Sequence, residues 1–258
     1  MVKQGDTIAV WFSCGAASAV AAKKTIEKYG DICTIRLINN PIKEEDEDNQ
    51  RFLKDCEKWL GVKMEYAINP KYPNCSIVEI FDKRKYMSGI AGAPCTGELK
   101  KKARQHWENE NHHDWIVLGF TVEEKHRHDK FALLERENIL PILIEEKITK
   151  GDCYRIISEA GITLPRTYRL GFANANCDGC VKVTNVTYWQ LTRKHLPEVF
   201  KARAKQSRRI GCKLVQYKGE RLFLDELPED AVGRPLKDMD FECGIFCMEQ
   251  PQVETCDE

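Results

Sequence analysis

The chain has 258 residues, of which 42% are hydrophobic and 31% are charged. These proportions are those of a globular protein and exclude a collagen-like or wholly disordered chain. Forty Lys and Arg residues balance forty Asp and Glu residues, so no net charge attracts a polyanion over long range. No apolar run approaches the ~20 residues of a membrane span. The first residues lack the usual form of a secretory signal, and we therefore expect a cytoplasmic protein.

The first 160 residues alternate predicted strands with predicted helices. The strands are predicted at Thr7–Phe12, Asp31–Ile38, Val62–Ile68, Asp114–Phe120 and Leu140–Ile144. The helices are predicted at Ala17–Tyr29, Glu45–Leu60, Ser76–Met87, Thr96–Glu108 and 149–160, with Thr149 as an N-cap. This alternation predicts an α/β fold with a doubly wound, mostly parallel sheet.

The remaining residues show a different pattern. Thr163–Asp178 has the composition of a loop, and two helices are predicted at Thr184–Lys194 and Glu198–Ile210. A hairpin is predicted from Lys213–Tyr217 and Arg221–Leu224. We therefore divide the chain into an α/β core at 1–160 and a C-terminal region at 161–258.

The turn after the first strand has the composition of an anion site. Ser13-Cys14-Gly15-Ala16 joins this strand to the first helix. Small residues let the backbone approach an oxyanion, and the amides of the helix N-terminus then point at it. The hydroxyls of Ser13 and Ser18 add donors. The same small residues also suit tight packing of strand against helix, and the sequence leaves both interpretations open.

Twelve cysteines in a chain without a visible export signal predict metal, iron–sulfur or thiol chemistry, or small buried side chains. Cys177 and Cys180 form a Cys-x-x-Cys pair among turn residues, a spacing that lets two thiolates reach one metal. Cys243 and Cys247 form a second pair, and Cys95 is a fifth candidate. Zinc with four thiolates and a [4Fe–4S] cluster both fit this set, and a redox dithiol or structural cysteines remain alternatives.

Charge is unevenly distributed near the C-terminus. Residues 193–221 contain ten Lys and Arg, and residues 225–258 contain eleven Asp and Glu. One interpretation is two solvated faces, or an acidic tail that neutralises the basic helices; the other is a polyanion-binding patch. We favour the first. The cations that would contact phosphates are Arg193, Lys194, Lys201, Arg203, Lys205, Arg208 and Arg209.

Five short motifs, in the same order along the chain, resemble those of the adenine nucleotide alpha-hydrolase (PP-loop) superfamily. They are Phe12–Val20, Pro94–Lys100, Gly119–Arg127, Cys177–Cys180 and Glu242–Ile245. The pattern looks most like the phosphoadenosine phosphosulfate (PAPS) reductase-like proteins of phages and prophages. Two features depart from it: Asn39-Asn40 stands in place of part of an Asp-Thr-Gly, and Phe246 replaces a His. Ala17 stands where the ATP-cleaving branch of the superfamily has an Asp.

The resemblance implies an adenine nucleotide (PAPS, APS or ATP) as a cofactor or substrate. The residues implied to bind it are Ser13, Cys14, Gly15, Ala16, Ala17, Ser18, Gly119 and Glu123. It implies Cys243 as a nucleophile, with Lys100 and Arg127 as cations that activate the thiolate and hold phosphate or sulfate oxygens.

The resemblance also favours a [4Fe–4S] cluster, with zinc as the alternative metal. The implied ligands are Cys95, Cys177 and Cys180, and the fourth is assigned to Cys247. The rival assignment of the fourth ligand is Cys243.

Three functions are compatible with these motifs. The first is a PAPS-reductase-like enzyme doing thiol- or iron–sulfur-dependent sulfur chemistry. The second is an ATP-dependent sulfurtransferase that modifies a tRNA or DNA base, and the third is a non-catalytic module that senses nucleotide or redox state. The expected partners are a small-molecule nucleotide and a thiol reductant such as thioredoxin. Nucleic acid is less favoured, no membrane is expected, and the sequence does not indicate an oligomeric state.

Overall fold

The structure, a computed structural model, describes residues 1–89 and 92–236. A parallel sheet of five strands forms its centre, in the order β3-β2-β1-β4-β5. The strands are β1 (Thr7–Phe12), β2 (Thr34–Asn39), β3 (Met64–Tyr66), β4 (Trp115–Val117) and β5 (Ile139–Leu140). The strand order reverses at β1, so a crevice is expected beyond the carboxyl ends of β1 and β4, where ligands bind in open α/β sheets.

Ten α-helices accompany the strands in the described residues. They are α1 (Ala16–Tyr29), α2 (Asp48–Leu60), α3 (Ile77–Arg84), α4 (Lys102–Glu110), α5 (Lys125–Leu134), α6 (Ile142–Glu145), α7 (Lys150–Glu159), α8 (Arg166–Arg169), α9 (Val186–His195) and α10 (Pro197–Ile210). A π-helical segment, Thr96–Lys101, precedes α4, and a 3₁₀ turn, Val122–Glu124, precedes α5. The hairpin is β6 (Val215–Tyr217) with β7 (Glu220–Leu222), followed by a 3₁₀ turn at Leu224–Glu226. None of the described helices has the length and apolar character that a membrane crossing requires.

Helices cover both faces of the sheet, which confirms the doubly wound prediction. Successive side chains of a strand point to opposite faces, and β1 is buried on both. Ile8 and Val10 pack in a cluster with α1, α2 and α7. Trp11 packs in a second cluster with Trp107 of α4 and Phe131 of α5. An unbroken apolar strand of this kind belongs at the centre of a parallel sheet.

The predicted strand Leu140–Ile144 is wrong over most of its length. Only Ile139–Leu140 pairs with β4, and Ile142–Glu145 is helical. Pro141 separates the two, because a proline cannot donate to a neighbouring strand. A short apolar run does not distinguish a buried strand from a buried helix.

Two further helices of the described residues were not predicted. The first is α5, which begins with the charged run Lys125–Lys130 and buries only Phe131. The second is the single turn α8, which lies within the predicted loop Thr163–Asp178. Neither has the apolar periodicity from which a helix is predicted.

A third apolar cluster joins the C-terminal region to the core. Ile80 and Phe81 of α3 pack in it with Trp189 of α9 and Phe200 of α10. This packing crosses the predicted boundary at residue 160. It also places Cys177 and Cys180 close to α3, because both cysteines belong to the same cluster.

Candidate functional site

A cleft lies at the carboxyl ends of β1 and β4. Its volume is about 990 Å³ when the open mouth is included, at the upper end of the ~300–1,000 Å³ of small-molecule sites. Eight of the residues predicted to bind nucleotide or act on it line the cleft: Ser13, Gly15, Ala16, Ala17, Ser18, Lys100, Gly119 and Arg127. The motif residues therefore line the crevice that the strand order predicts.

Ser18 holds the turn between β1 and α1 in shape. Its Oγ accepts a hydrogen bond from Ser13 N at 3.1 Å and donates one to the Gly15 carbonyl at 2.8 Å. Gly15 occupies the N-cap of α1 and supplies no side-chain cap. The amides of the first helical turn therefore have no cap from that position, and the helix dipole favours an anion there.

Gly119 lets β4 approach this turn closely. A Cβ atom at Gly119 would lie 2.7 Å from Ser18 N and 2.8 Å from the carbonyl carbon of Ala17. No side chain fits at these distances without a shift of the backbone. The glycine therefore contributes to the cleft by setting the distance between β4 and the first turn of α1.

Two of the predicted nucleotide-binding residues do not line the cleft. Cys14 is 1% exposed, its backbone is left-handed at φ 56°, and its Sγ lies 3.8 Å from Asn39 Nδ2. Burial raises the pKa of the Cys14 thiol well above its ordinary value, so this thiol stays protonated. Glu123 accepts a hydrogen bond from Lys150 N at 3.2 Å. It therefore supports the beginning of α7, whose first residue does line the cleft.

Three cations line the cleft. Arg127 forms an ion pair with Glu124, and its guanidinium carbon lies 5.4 Å from the centre of the Phe120 ring. Lys100 is only 8% exposed, and the π-helical segment positions it. Such segments are frequent at functional sites. Lys150 is the third cation. Together they suit the oxygens of a phosphate or sulfate.

Sequence reasoning missed several cleft residues that come from distant segments. They are Glu45, Lys150, Tyr154, Tyr168, Asn174 and Asn176. Tyr168 Oη lies 3.5 Å from Ala16 N, at the N-terminus of α1. The only sequence signal for Asn174 and Asn176 was their position just before Cys177, and nothing in the sequence linked Tyr168 to the first turn.

Three of the predicted metal ligands line one small cavity. Cys95, Cys177 and Cys180 share it with Phe81, Thr96 and Lys100. Cys177 and Cys180 are 6% and 5% exposed. Within residues 1–89 and 92–236, no three His, Cys, Asp or Glu side chains are grouped so that they could hold one metal ion. A [4Fe–4S] cluster is held by thiolates that reach it from separate positions, and three thiols around one cavity fit that requirement.

The backbone of the Cys-x-x-Cys turn is itself fixed by hydrogen bonds. Tyr188 Oη accepts one from Cys180 N at 2.6 Å and donates one to the Cys177 carbonyl at 3.4 Å. Gly179, between the two, is left-handed at φ 64°. Such supporting contacts orient the ligands of metal sites and are part of their design.

Lys100 is common to both cavities. It lines the cleft and also the cavity of the three cysteines. The two sites are therefore neighbours. The predicted nucleophile Cys243 and the predicted fourth ligand Cys247 lie outside the described residues.

Several cations of the basic segment bind other parts of the chain. Arg208 pairs with Asp225 and Glu226 at 2.9 and 2.8 Å. Arg209 pairs with Asp82. Arg193 donates to the carbonyl oxygens of Leu224, Leu227 and Pro228. These contacts support the interpretation in which acidic residues neutralise the basic helices.

No protein-family model matches the sequence, and no curated protein matches it either. Among solved structures, the chain is similar to the U34-tRNA thiolase NcsA from Methanococcus maripaludis with its [4Fe–4S] cluster, at 12% identity and a TM-score of 0.47. The match covers 94% of this chain and 84% of that one. At this TM-score the likeness carries no argument about function.

Proposed function

We propose that the protein is an adenine-nucleotide-dependent enzyme of sulfur chemistry. In the version we favour, ATP adenylates an acceptor carbonyl with release of pyrophosphate, and sulfide, taken up as a co-substrate, then displaces AMP from it. The observation that carries the proposal is the position of Lys100, which lines both the cleft and the cysteine cavity. A nucleotide in the first and a sulfur-handling group in the second would be close enough to share a reaction.

The chain's own residues supply the nucleotide site in this proposal. The first-turn amides of α1 hold phosphate oxygens, and the spacing set by Gly119 keeps the turn compact around them. Lys100, Arg127 and Lys150 offset the negative charge of the phosphates and of a leaving pyrophosphate. The size of the cleft leaves room for an acceptor beside the nucleotide.

The cysteine cavity supplies the site for the sulfur-handling group. Cys95, Cys177 and Cys180 would hold a [4Fe–4S] cluster, which supplies electron transfer or a binding position for sulfur when it is present. Tyr188 keeps two of these ligands at a fixed spacing through their backbone. Lys100 would offset negative charge that develops in the cleft or in the cysteine cavity.

A second candidate is reduction of a nucleotide-bound sulfate by a PAPS-reductase-like mechanism. The observation that favours it is the β1–α1 loop, where Ala17 stands in place of the Asp of the ATP-cleaving branch and lines the cleft. This version needs a thiolate nucleophile, for which the sequence offers Cys243.

Turnover assays separate the two versions. We expect acceptor-stimulated release of pyrophosphate from ATP for sulfur transfer, with bulk tRNA and duplex DNA as the first acceptors to test. We expect release of sulfite from PAPS or APS, in the presence of thioredoxin, for the reductase. Nucleotide binding without either reaction would favour a non-catalytic sensor and contradict the proposal.

Cys243→Ser gives an independent test. If Cys243 is a nucleophile, the variant should lose sulfite release and keep its iron. If Cys243 is a ligand, iron and stability should fall together, because ligation and folding are coupled. If ATP-dependent sulfur transfer is correct and Cys247 is the fourth ligand, ATP cleavage and iron content should both survive. Cys33→Ser, at a half-buried cysteine next to the Lys3 carbonyl, is the matched control.

A further inference from the structure

Arg203 is a buried cation packed against the Cys-x-x-Cys turn. It lies on α10 and is 4% exposed. A Cβ atom at Gly179 would lie 3.5 Å from Arg203 Nε and 2.9 Å from Val199 Cγ1. The turn that carries Cys177 and Cys180 therefore rests directly on this part of α10.

Within the described residues, the charge of Arg203 is not balanced by an ion pair. Its Nη1 donates to Gln206 Oε1 at 2.6 Å, and its guanidinium carbon lies 5.4 Å from the centre of the Phe81 ring. Its Nε has no hydrogen-bond partner among residues 1–89 and 92–236. In the part of the chain that the structure describes, no carboxylate lies within ion-pair distance of Arg203, and Glu44 acts on it only from farther away.

A buried guanidinium without a counter-ion is unfavourable, because burial removes its hydration. Burial accordingly lowers the pKa of Arg203 from its ordinary value. The groups around it that become negative when they bind a metal are the two cysteines of the turn, since the thiolate is the ligand form. Phe81 connects the two sites, because its ring lies against the Arg203 guanidinium and Phe81 also lines the cysteine cavity.

We propose that Arg203 is a positioning residue for the cysteine site, and that its positive charge offsets the negative charge of a thiolate-bound iron–sulfur cluster. The proposal rests on the function proposed above, since it takes the cavity of Cys95, Cys177 and Cys180 as the cluster site. Charge and hydrogen bonds around a cluster set its reduction potential. A nearby positive charge favours the reduced form, so its removal should lower the potential.

The test uses the full chain, reconstituted anaerobically with ferrous iron and sulfide. Iron per chain and the midpoint potential, followed by visible absorbance, are measured for the wild type, Arg203→Met and Arg203→Lys. Arg203→Met removes the charge at similar length. We expect its reduction equilibrium to shift about tenfold toward the oxidised form, which is about 59 mV for one electron, and iron to leave faster to a chelator. Arg203→Lys keeps the charge and should restore most of the wild-type potential.

Arg104→Met is the matched control. Arg104 is equally buried, at 2% exposed, but pairs with Glu108 at 3.1 Å on α4. Its replacement should lower stability without moving the potential. A purely structural role for Arg203 predicts the same behaviour as the control, and that result would overturn the proposal.

The other possible results of these measurements also test the proposal. If Arg203→Met does not fold, Arg203→Gln, which also removes the charge, carries the test, and a folded glutamine variant with the wild-type potential overturns the proposal. A wild-type chain that takes up no iron overturns the cluster assignment itself and this inference with it. A wild-type cluster whose potential is unchanged in Arg203→Met overturns the inference alone and leaves the proposed function standing.

Discussion

The two turns that carry the candidate chemistry are built in opposite ways. The β1–α1 turn faces an open cleft and offers backbone amides, and it is held in shape by Ser18. The Cys177–Cys180 turn is enclosed and is held from behind by Tyr188 and Arg203. An open turn suits a ligand that enters and leaves, whereas an enclosed one suits a group that stays.

The comparison extends to the glycines of the two regions. Gly119 is required because its neighbour is backbone, and a Cβ atom at this position would lie 2.7 Å from Ser18 N. Gly179 is required because its own backbone is left-handed, at φ 64°. Gly15 differs from both, since its φ is −96° and the described atoms that a Cβ there would meet are Tyr168 Oη at 3.5 Å and Ser13 Oγ at 3.7 Å. The fold therefore has room for a Cβ atom at Gly15, whereas we expect a larger side chain there to block a ligand in the cleft.

The largest effect is expected from breaking the enclosed turn. Cys177→Ser should retain less than about a tenth of the wild-type iron, because losing a ligand exceeds the 10–100-fold cost of losing a supporting contact. Nucleotide binding should persist, since Cys177 does not line the cleft. Iron analysis and nucleotide titration on the same preparation check both statements.

Cys33→Ser controls for the loss of a thiol as such, and it should keep its iron. Full iron in a folded Cys177→Ser protein would remove this cysteine from the ligand set. If Cys177→Ser lost nucleotide binding together with iron, the β1–α1 turn would depend on the Cys177–Cys180 turn, although different contacts hold the two in shape.

The sequence predicted the open turn better than the enclosed one. β1 was predicted with the bounds it has, Thr7–Phe12, because an unbroken apolar run is followed at once by small residues. The turn residues then follow from local order alone. Cys177 and Cys180 were visible as a pair, but their meeting with Cys95 in one cavity depends on how α3, α9 and α10 pack.

The features that sequence analysis missed are set by tertiary packing. Lys100 was predicted to contact an anion and Arg203 to belong to a basic face, but their almost complete burial was not predicted. Tyr168 reaches the first turn from more than a hundred residues away. Burial of a charge and contact between distant segments are set by tertiary packing, for which a single sequence carries no periodic signal.

The next effect in size tests the open turn. Gly15→Val should weaken nucleotide binding at least about tenfold, which is about 1.4 kcal/mol, because its side chain blocks the approach of phosphate to the α1 amides. The melting temperature should change little, since the backbone at Gly15 is extended and the nearest atoms are at ordinary contact distance. Gly15→Ala should give a smaller loss. Calorimetric titration with ATP and PAPS measures both, and an unchanged affinity would mean that the turn serves only packing.

A smaller effect is expected at Gly119, which shapes the cleft through its close contact with α1, than at Gly15, which faces the cleft. Gly119→Ala should lower the free energy of unfolding by about 1–3 kcal/mol, the usual cost of inserting an atom into a packed region. Gly151→Ala is the control, because a Cβ there would meet only Thr149 Oγ1 at 3.7 Å. Urea unfolding measures both variants. Equal stability of the two would show that β4 can move away from α1 without cost.

The smallest effect is expected on the basic helices. If Arg208 and Arg209 contacted phosphates, replacing both with Gln would reduce the salt slope of DNA binding by about 1.8, at about 0.9 per phosphate. Glutamine is a sharper test than glutamate, because a new carboxylate beside Asp225, Glu226 and Asp82 would add repulsion of its own. The ion pairs already satisfy both arginines within the chain, so we expect no change in slope.

The cleft cations give the positive control for that measurement. Lys150→Gln should weaken nucleotide binding, and it should also reduce binding of any nucleic acid that presents a base to the cleft mouth. A nucleic-acid acceptor engaged only at the cleft would therefore respond to Lys150 and not to Arg208 or Arg209. In the reverse response, neutralising the helix arginines would reduce the salt slope by the amount expected for two phosphate contacts. That result would show that the ion pairs open on binding. In that case the basic helices, and not the cleft alone, would form the docking surface of a sulfur acceptor.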